Sequence, residues 1–355
     1  MDQEPARSID GKPARSKERI YVRVSVLLAG DLTLPEHVFC ADQHDKTVRT
    51  TVPSLSFLVR HPSGCRLIFD LGIRRDLSQY PAALHGRLES RQPIAGAPDV
   101  SASLRAGGVA PDDIDVVVLS HVHYDHACFI VGPSSIGLLQ SEGFPDFPGH
   151  FERDLLPLDR TIELAGPGVD GHASRAVRTE DKRKISLLRD KLRRQKTTTT
   201  TSDCAEGDSD SLFVWQSLGP FDAAVDLFND GSVYLVNSPG HLDGHINLLC
   251  RTRPADRDRE SLRVYLAGDA CHHERILKGE TEIATWQDQN GVDCCMHQDK
   301  ALAEDTLHRI RRLKEDGLAL EHGCPWEVQV VLAHDVAWTN KNKDAVFPGC
   351  IRSVK

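Results

Sequence analysis

The sequence predicts an α/β (α+β) domain, and three observations support that fold class. Apolar runs with the length of buried strands recur along the chain, as at 114–119 and 328–333. Segments with helical spacing lie between such runs, including 300–314. Hydrophobic residues make up 40% of the 355 residues, which is enough for a sizeable core. Periodicity alone does not give the order in which these elements pack.

The first elements are predicted as follows. A strand is expected at 19–28, because apolar and polar residues alternate there. A hairpin is expected next, in which 52–60 and 66–69 flank a turn that contains Pro62 and Gly64. Its second strand leads into Asp70, which is followed by Leu71 and Gly72.

Helices and further strands complete the predicted domain. Helices are expected at 77–88 and at 100–106, the second closed by Gly107 and Gly108. The remaining predicted segments are strands at 127–131, 161–164, 233–238, 245–251, 264–268 and 324–333, a helix at 134–140, and the segments 212–218 and 224–228. The apolar side of helix 300–314 is expected to comprise Leu302, Leu307, Ile310 and Leu313.

Composition restricts the partners and the compartment. The formal net charge is −9, with basic residues concentrated in one segment only, so nucleic acid is not expected as a partner. No apolar run reaches membrane-spanning length, so no membrane association is expected. Ten irregularly spaced cysteines indicate reduced thiols in a cytoplasmic protein. The oligomeric state is left open.

The predicted domain is bounded by a leader and carries an insert. Residues 1–18 are polar and are expected to be a disordered leader, and residues 19–350 form the single domain. Residues 171–211 contain a basic stretch, a threonine run and an acidic stretch, with few apolar residues. This composition is typical of a low-complexity surface insert that the fold does not need, with a helix at 185–192 as its one expected element.

A metal-binding motif follows the strand at 114–119. Its four candidate ligands are His121, His123, Asp125 and His126. On an extended segment the first three point to the same side, and His126 stands where the chain must turn, so it can face a second ion. Three imidazoles and a carboxylate suit a borderline metal such as zinc. A hydrogen-bonded histidine pair at a strand end is the alternative, and the full motif makes it the weaker one.

This HxHxDH spacing resembles the signature of the metallo-β-lactamase superfamily. The family needs three further ligands after later strands, and His241, Asp269 and His334 stand in those places. The resemblance extends over about 21–348 and is strongest to N-acyl homoserine lactonase-like members of fungal type. It implies an αββα sandwich, in which two mixed β-sheets are flanked by helices.

The resemblance also implies a dinuclear centre. One ion would be held by His121, His123 and His241, the other by Asp125, His126 and His334, and Asp269 would bridge the two. The cofactors implied are two divalent metal ions per chain, zinc by default. Hydroxide bound by the pair would attack a carbonyl, and Asp125 would pass a proton to the leaving group as the candidate catalytic residue.

Other polar residues near these strands are not expected to be metal ligands. Asp70 either supports the metal site, as the family's Asp-x-Gly often does, or caps its own turn. His245 is expected to be structural. His272 and His273 are expected in a loop that leaves the site rather than as ligands.

The function implied is hydrolysis of a small-molecule lactone or related ester. A thioesterase acting on acyl-carrier or coenzyme A thioesters is the alternative, and a non-catalytic metal-binding scaffold is a further one. The last is favoured by one departure from the family: a strand at 127–131 follows the motif directly, where a glycine-containing loop and a helix are usual. Neither substrate contacts nor the acyl chain are predicted.

Overall fold

Two mixed β-sheets pack face to face, and helices cover the outer face of each. This computed structural model describes residues 19–121, 128–141, 143–144, 147–148, 152–168, 174–178, 181–193, 213–253, 261–287, 290–316 and 326–352. The layer order is helix, sheet, sheet, helix, so the predicted αββα sandwich is confirmed.

The first sheet has the strand order β1-β2-β3-β4-β5-β8. These strands are β1 Arg23–Pro35, β2 Arg49–Arg60, β3 Arg66–Phe69, β4 Val116–Val118, β5 Cys128–Val131 and β8 Thr161–Glu163. The first three pair antiparallel, whereas β3, β4, β5 and β8 run parallel to one another. A separate small hairpin pairs two strands of two residues each, β6 Gly143–Phe144 and β7 Phe147–Pro148.

The second sheet has the strand order β17-β14-β13-β12-β11-β10-β9. These strands are β9 Ser174–Arg175, β10 Val214–Leu218, β11 Phe221–Asp226, β12 Val233–Asn237, β13 Ile246–Arg253, β14 Ser261–Leu266 and β17 Trp326–Val331. All neighbours are antiparallel except β14 and β17, which run parallel. A second small hairpin joins β15 Trp286–Gln287 to β16 Asp293–Cys294.

The α-helices are α1 Ala82–Ser90, α2 Val100–Ala106, α3 Ser135–Gln140, α4 Lys182–Leu192, α5 Glu274–Lys278, α6 Lys300–Asp316 and α7 Val336–Lys341. Short 3₁₀ turns occur at Glu36–Val38, Leu77–Gln79, Pro111–Asp113 and Lys343–Ala345. The bounds of α2 are those predicted, because Asp99 accepts a hydrogen bond from Ala102 N at the start and Gly107 ends the helix. No helix in the described part of the chain is long and apolar enough to cross a membrane.

Three apolar clusters hold the layers together. The central cluster lies between the sheets and joins residues such as Phe57 and Val118 of the first sheet to Leu248 and Val264 of the second. A second cluster packs α6 on the outer face of the second sheet, and a third packs α2 and α3 on the outer face of the first. The burial of apolar area in these clusters is the main force that fixes the relative positions of the strand ends.

The expectation that 171–211 is a surface insert is wrong for the part that the structure describes. Ser174–Arg175 pairs with β10, and α4 packs Ile185, Leu188 and Leu192 into the central cluster. These three side chains recur at spacings of three and four residues, so they share one side of the helix. The residues 194–211 of the predicted insert lie outside the described residues, as does the predicted leader.

The buried side of α6 differs from the prediction at one residue. Leu302 was predicted on the inner side of α6, but its side chain is 45% exposed, and Ala303 and Thr306 are buried instead. The other three predicted residues of that side are buried, as expected. Within the described residues, no disulfide bond joins two cysteines.

Candidate metal centre

Four of the predicted ligands meet where strands of both sheets end. His121 follows β4 of the first sheet, while His241, Asp269 and His334 follow β12, β14 and β17 of the second. Because β14 and β17 are parallel neighbours, their carboxyl ends reach the same sheet edge, which brings Asp269 beside His334. The remaining predicted ligands His123, Asp125 and His126 lie outside the described residues.

The carboxylate of Asp269 is surrounded by imidazole nitrogens. Its Oδ2 lies 3.8 Å from His121 Nε2, 3.7 Å from His241 Nε2 and 3.5 Å from His272 Nε2. Its Oδ1 lies 3.5 Å from His334 Nε2. The two oxygens therefore face different histidines, which is the arrangement that a carboxylate between two ions requires.

These separations fit ligands of a shared ion. Ligand atoms of a tetrahedral zinc at about 2.0–2.1 Å are about 3.4 Å apart, close to the nitrogen–oxygen distances around Asp269. Buried polar atoms also remain without hydrogen-bond partners within the described residues, among them Asp269 Oδ1 and His241 Nδ1. Unpaired buried polar atoms are costly, so nitrogen and oxygen donors in this setting suit a bound cation.

Burial and mutual contacts shift the pKa values of three of these groups. Burial raises the pKa of the Asp269 carboxyl, but His334 and His272 outweigh this and hold the pKa well below its ordinary value. Burial lowers the pKa of His241 well below its ordinary value, so this imidazole is neutral near pH 7. Burial also lowers the pKa of His334, but the adjacent Asp269 outweighs it, so the pKa is raised in the absence of a cation.

Hydrogen bonds orient two of the imidazoles. His334 Nδ1 lies 2.9 Å from the carbonyl oxygen of Pro53, which requires the proton on Nδ1 and leaves Nε2, beside Asp269, as the nitrogen that could bind a cation. His121 Nδ1 lies 2.8 Å from Ser120 Oγ. Such contacts on the second ring nitrogen fix the direction of a metal-binding imidazole.

His245 is structural, as predicted. Its Nδ1 lies 3.0 Å from the carbonyl oxygen of Ser238, and its Nε2 accepts a hydrogen bond from Asp269 N at 3.3 Å. Both ring nitrogens are thus engaged, and the ring holds the backbone that carries Asp269. Burial lowers the pKa of His245 to about 4, so the neutral form required by these bonds prevails near pH 7.

Asp70 supports the segment that carries His121. Its Oδ1 accepts a hydrogen bond of 2.7 Å from Ser120 N, and its own N–H donates to the carbonyl oxygen of Val118. Its backbone has φ +61°, an uncommon value for a non-glycine residue that often accompanies functional sites. Of the two interpretations from sequence, support of the site is therefore the one that the contacts favour.

Two glycines permit the close approach of the turns. Gly240 has φ +123°, and a Cβ there would lie 2.2 Å from Ala303 N in α6. Gly268 has φ +48°, and a Cβ there would lie 2.8 Å from Ser120 Cβ. Nearby, Ile246 N donates a hydrogen bond of 2.9 Å to Ser120 O, which joins the second sheet to the segment after β4.

Sequence reasoning missed two histidines of the site. Ligand atoms of His241, His272 and His297 lie within 4.8 Å of one another, as do those of His121, His241 and Asp269. His272 was predicted to leave the site, but it lies 8% exposed against Asp269. Its position three residues after a predicted ligand was the available signal.

His297 carried no such signal, because it does not follow a strand of either large sheet. Its loop is held beside His241 by two backbone hydrogen bonds, Gln298 N to His241 O and Asp299 N to Gly240 O, both 2.9 Å long. The imidazole is 5% exposed, and its Nδ1 has no hydrogen-bond partner within the described residues.

A cavity of about 650 Å³ opens onto these groups. The histidines and Asp269 form one part of its wall. Apolar side chains form much of the rest, including Leu34, Phe39, Leu84, Leu88 and Met296. A largely apolar cavity with a few converging polar groups is typical of a small-molecule site.

Comparison with known proteins relates the chain to metallo-β-lactamase sequences. The profile of the metallo-beta-lactamase superfamily matches residues 49–130. The chain is 28% identical over 355 residues to cytochrome P450 monooxygenase mpaDE of Penicillium brevicompactum, covering 94% of this chain but only 35% of that protein. It is 30% identical over 212 residues to gamma-lactamase MBL2 of Gibberella moniliformis, covering 58% of this chain and 71% of that protein.

A solved structure supports the same fold. AiiA of B. thuringiensis, with N-decanoyl-L-homoserine bound at its active site, superposes with a TM-score of 0.56 at 14% identity, covering 94% of this chain and 100% of that one. The fold, the profile match and the identity to MBL2 agree, and the chain belongs to the metallo-β-lactamase superfamily.

Proposed function

We propose that this chain is a metal-dependent hydrolase that opens a lactone or cleaves a related ester. The observation that carries the proposal is the placement of Asp269 between two sets of imidazoles, with Oδ2 toward His121 and His241 and Oδ1 toward His334. Two divalent ions, zinc by default, would be held by these four residues with His123, Asp125 and His126. The pair, when bound, supplies an activated water at neutral pH and positive charge that polarises a carbonyl.

The residues of the chain have separate tasks in this proposal. Asp269 would hold both ions, and the hydrogen bond from its own N–H to His245 keeps its backbone in place. The contact with Pro53 fixes the ring of His334, whose Nε2 would bind an ion. Asp125 would carry the proton to the leaving group. No serine or cysteine nucleophile is required.

The relatives support a cyclic carbonyl compound as the substrate. MBL2 is named a gamma-lactamase, and a solved N-acyl homoserine lactone hydrolase holds its product N-hexanoyl-L-homoserine at its metal centre. A lactone and a γ-lactam share a ring carbonyl whose opening releases one carboxylic acid. The lactam is therefore the second candidate substrate class. Because the chain spans about a third of mpaDE, no activity of that larger protein is carried over.

A panel assay on metal-replete protein tests the proposal. Lactones, γ-lactams, simple esters, acyl thioesters and phosphodiesters are compared. A pH indicator follows acid release from the lactones and simple esters, and chromatography follows the opening of the lactams, whose freed amine takes up the proton that the acid releases. Turnover of lactones or simple esters supports the proposal. Turnover confined to thioesters would favour the thioesterase alternative, and turnover confined to phosphodiesters would point to a nuclease-like enzyme. Full metal loading with no turnover of any member would favour the non-catalytic scaffold.

Asp125→Asn sharpens the test. If Asp125 carries the proton, kcat should fall more than KM rises, because the loss affects the transition state more than substrate binding. The metal content of the variant must be measured beside the rate, since Asp125 is also a proposed ligand. A rate loss fully explained by metal loss would remove the proton-transfer role.

A further inference from the structure

Two arginines face the same cavity as the metal centre. Arg87 lies in the last turn of α1 and Arg91 is the residue that caps it, so they are four positions apart on one side. Both are half-buried and line the cavity together with His121, His241 and Asp269. Cations at a helix C-terminus are common because of the helix dipole, but these two also line the cavity beside the metal centre.

The two guanidinium groups influence each other and the metal centre. Burial lowers the pKa of Arg87 to about 10, the charge of Arg91 lowers it further, and Asp269 opposes the shift. Like charges held together at a partly dehydrated site are unfavourable, and an anion between them would offset this.

Neighbouring groups do not neutralise Arg91. Its side chain makes no ion pair or hydrogen bond with any residue in the described part of the chain. The third arginine nearby, Arg49, donates to the carbonyl oxygen of Ser90 at 2.6 Å and is thus held by the backbone. Burial, followed by the charge of Arg49, lowers the pKa of Arg91. Arg49 and Arg87 thus both place positive charge near Arg91.

Apolar side chains of the same segment complete this wall. Tyr80, Leu84, Leu88 and Ile94 line the cavity beside the two arginines. An occupant that matches this surface has an apolar body and an anionic group. A planar guanidinium binds a planar carboxylate through two parallel hydrogen bonds, which a neutral group cannot reproduce.

We propose that Arg87 and Arg91 bind a carboxylate of the substrate, at a point separate from the carbonyl that reacts at the metal centre. This inference rests on the proposed function and assigns its substrate class: a lactone, lactam or ester that also carries a free carboxylate. The arginines act in binding and in orientation of the substrate.

Binding measurements test the assignment without turnover. Titration calorimetry on metal-loaded protein compares the dicarboxylates succinate, glutarate, adipate and suberate with their monoamides. The dicarboxylate and its monoamide each have one carboxylate that can reach the metals. They differ only at the other end of the molecule, which is a second carboxylate in one and an amide in the other. At one chain length or more, the dicarboxylate should bind on the order of tenfold tighter than its monoamide, as expected for hydrogen bonds between charged groups.

Two double variants test whether Arg87 and Arg91 cause the preference for the dicarboxylate over its monoamide. Arg87→Gln/Arg91→Gln should reduce the preference to less than about twofold, since glutamine keeps helix propensity but lacks the charge. Arg75→Gln/Arg105→Gln, at two exposed arginines away from the cavity, should leave it unchanged. Unchanged thermal melting of both variants confirms that the fold is intact.

Two outcomes would overturn the assignment. One is equal affinity for dicarboxylate and monoamide at every length, including no binding of either. The other is a preference that survives Arg87→Gln/Arg91→Gln. Failure of the hydrolase proposal would instead appear as inactivity in the substrate panel, whatever the calorimetry gives.

Discussion

Asp269 Oδ1 faces His334 Nε2 at 3.5 Å, whereas its Oδ2 faces His241 Nε2 at 3.7 Å. The two oxygens of one carboxylate thus face imidazoles that follow different strands. An amide at this position would keep the shape of the side chain but would offer one oxygen and no charge.

Asp269→Asn should therefore reduce bound metal by about one ion per chain and remove hydrolytic activity, because a bridging carboxylate stabilises both ions. Elemental analysis of protein purified without chelator, together with the substrate panel, measures both effects. Asp293→Asn, at an exposed acid that lines the same cavity, is the matched control and should keep its metal. Equal metal content in the two variants would contradict the bridging role.

Gly240→Ala should destabilise the turn that positions His241. The left-handed φ and the approach to Ala303 leave no room for a methyl group, so a loss of at least about 1–2 kcal/mol of unfolding free energy is expected. Urea unfolding measures it. Gly137→Ala is the control, because Gly137 lies in α3 with open space around it and should gain roughly 0.5–1 kcal/mol. Similar effects of the two changes would argue against the packing described.

The role of α4 in the core can be tested with two adjacent leucines. Leu188 is 1% exposed in the central cluster, whereas Leu187 is 47% exposed. Leu188→Ala should cost about 2–5 kcal/mol of unfolding free energy through lost burial and a residual cavity. Leu187→Ala should stay within about 0.5 kcal/mol. If Leu188→Ala were equally mild, the helix would be a surface addition after all.

The metal-free protein should lose stability in mild acid. Burial lowers the pKa of His245 to about 4 and that of His297 to about 3, whereas both are near 6.5 in the unfolded chain. The unfolded state then binds more protons between pH 6.5 and 4, so stability is complete above pH 6.5 and falls with pH below it. Each such histidine contributes about 1.4 kcal/mol per pH unit in this window.

Urea unfolding between pH 7 and 4 measures this slope. The raised pKa of His334 acts in the opposite sense, since its contribution is present below pH 6.5 and is lost at higher pH. His241 and His272 act in the same sense as His245 and His297, so the net slope keeps its sign. His297→Gln should reduce the slope of unfolding free energy against pH by the contribution of one histidine. An unchanged slope would refute the buried neutral state of His297.

Local signals in the sequence account for most of the fold and for part of the site. His241, Asp269 and His334 each follow an apolar run, and the geometry of parallel strands brings such positions together. His297 does not follow a main strand, and its place depends on backbone hydrogen bonds made only in the folded chain. No pattern within a short window could predict it.

The segment 174–193 differs from its predicted state for a different reason. Its basic composition suggested solvent exposure, yet Ile185, Leu188 and Leu192 repeat with helical spacing. Three apolar residues on one side suffice to attach a helix to a core, while the charged residues on the other sides remain in water. The periodic signal was present and should have outweighed composition.

The hydrogen bond from Ile246 N to Ser120 O has a consequence for experiment. It crosses from one sheet to the other beside His121, so that amide proton exchanges with solvent only when the two halves of the molecule separate locally. Ions held by residues of both halves would oppose that separation and lengthen the lifetime of the proton. The isotope-exchange rate of a single backbone amide would thus report how fully the centre is loaded.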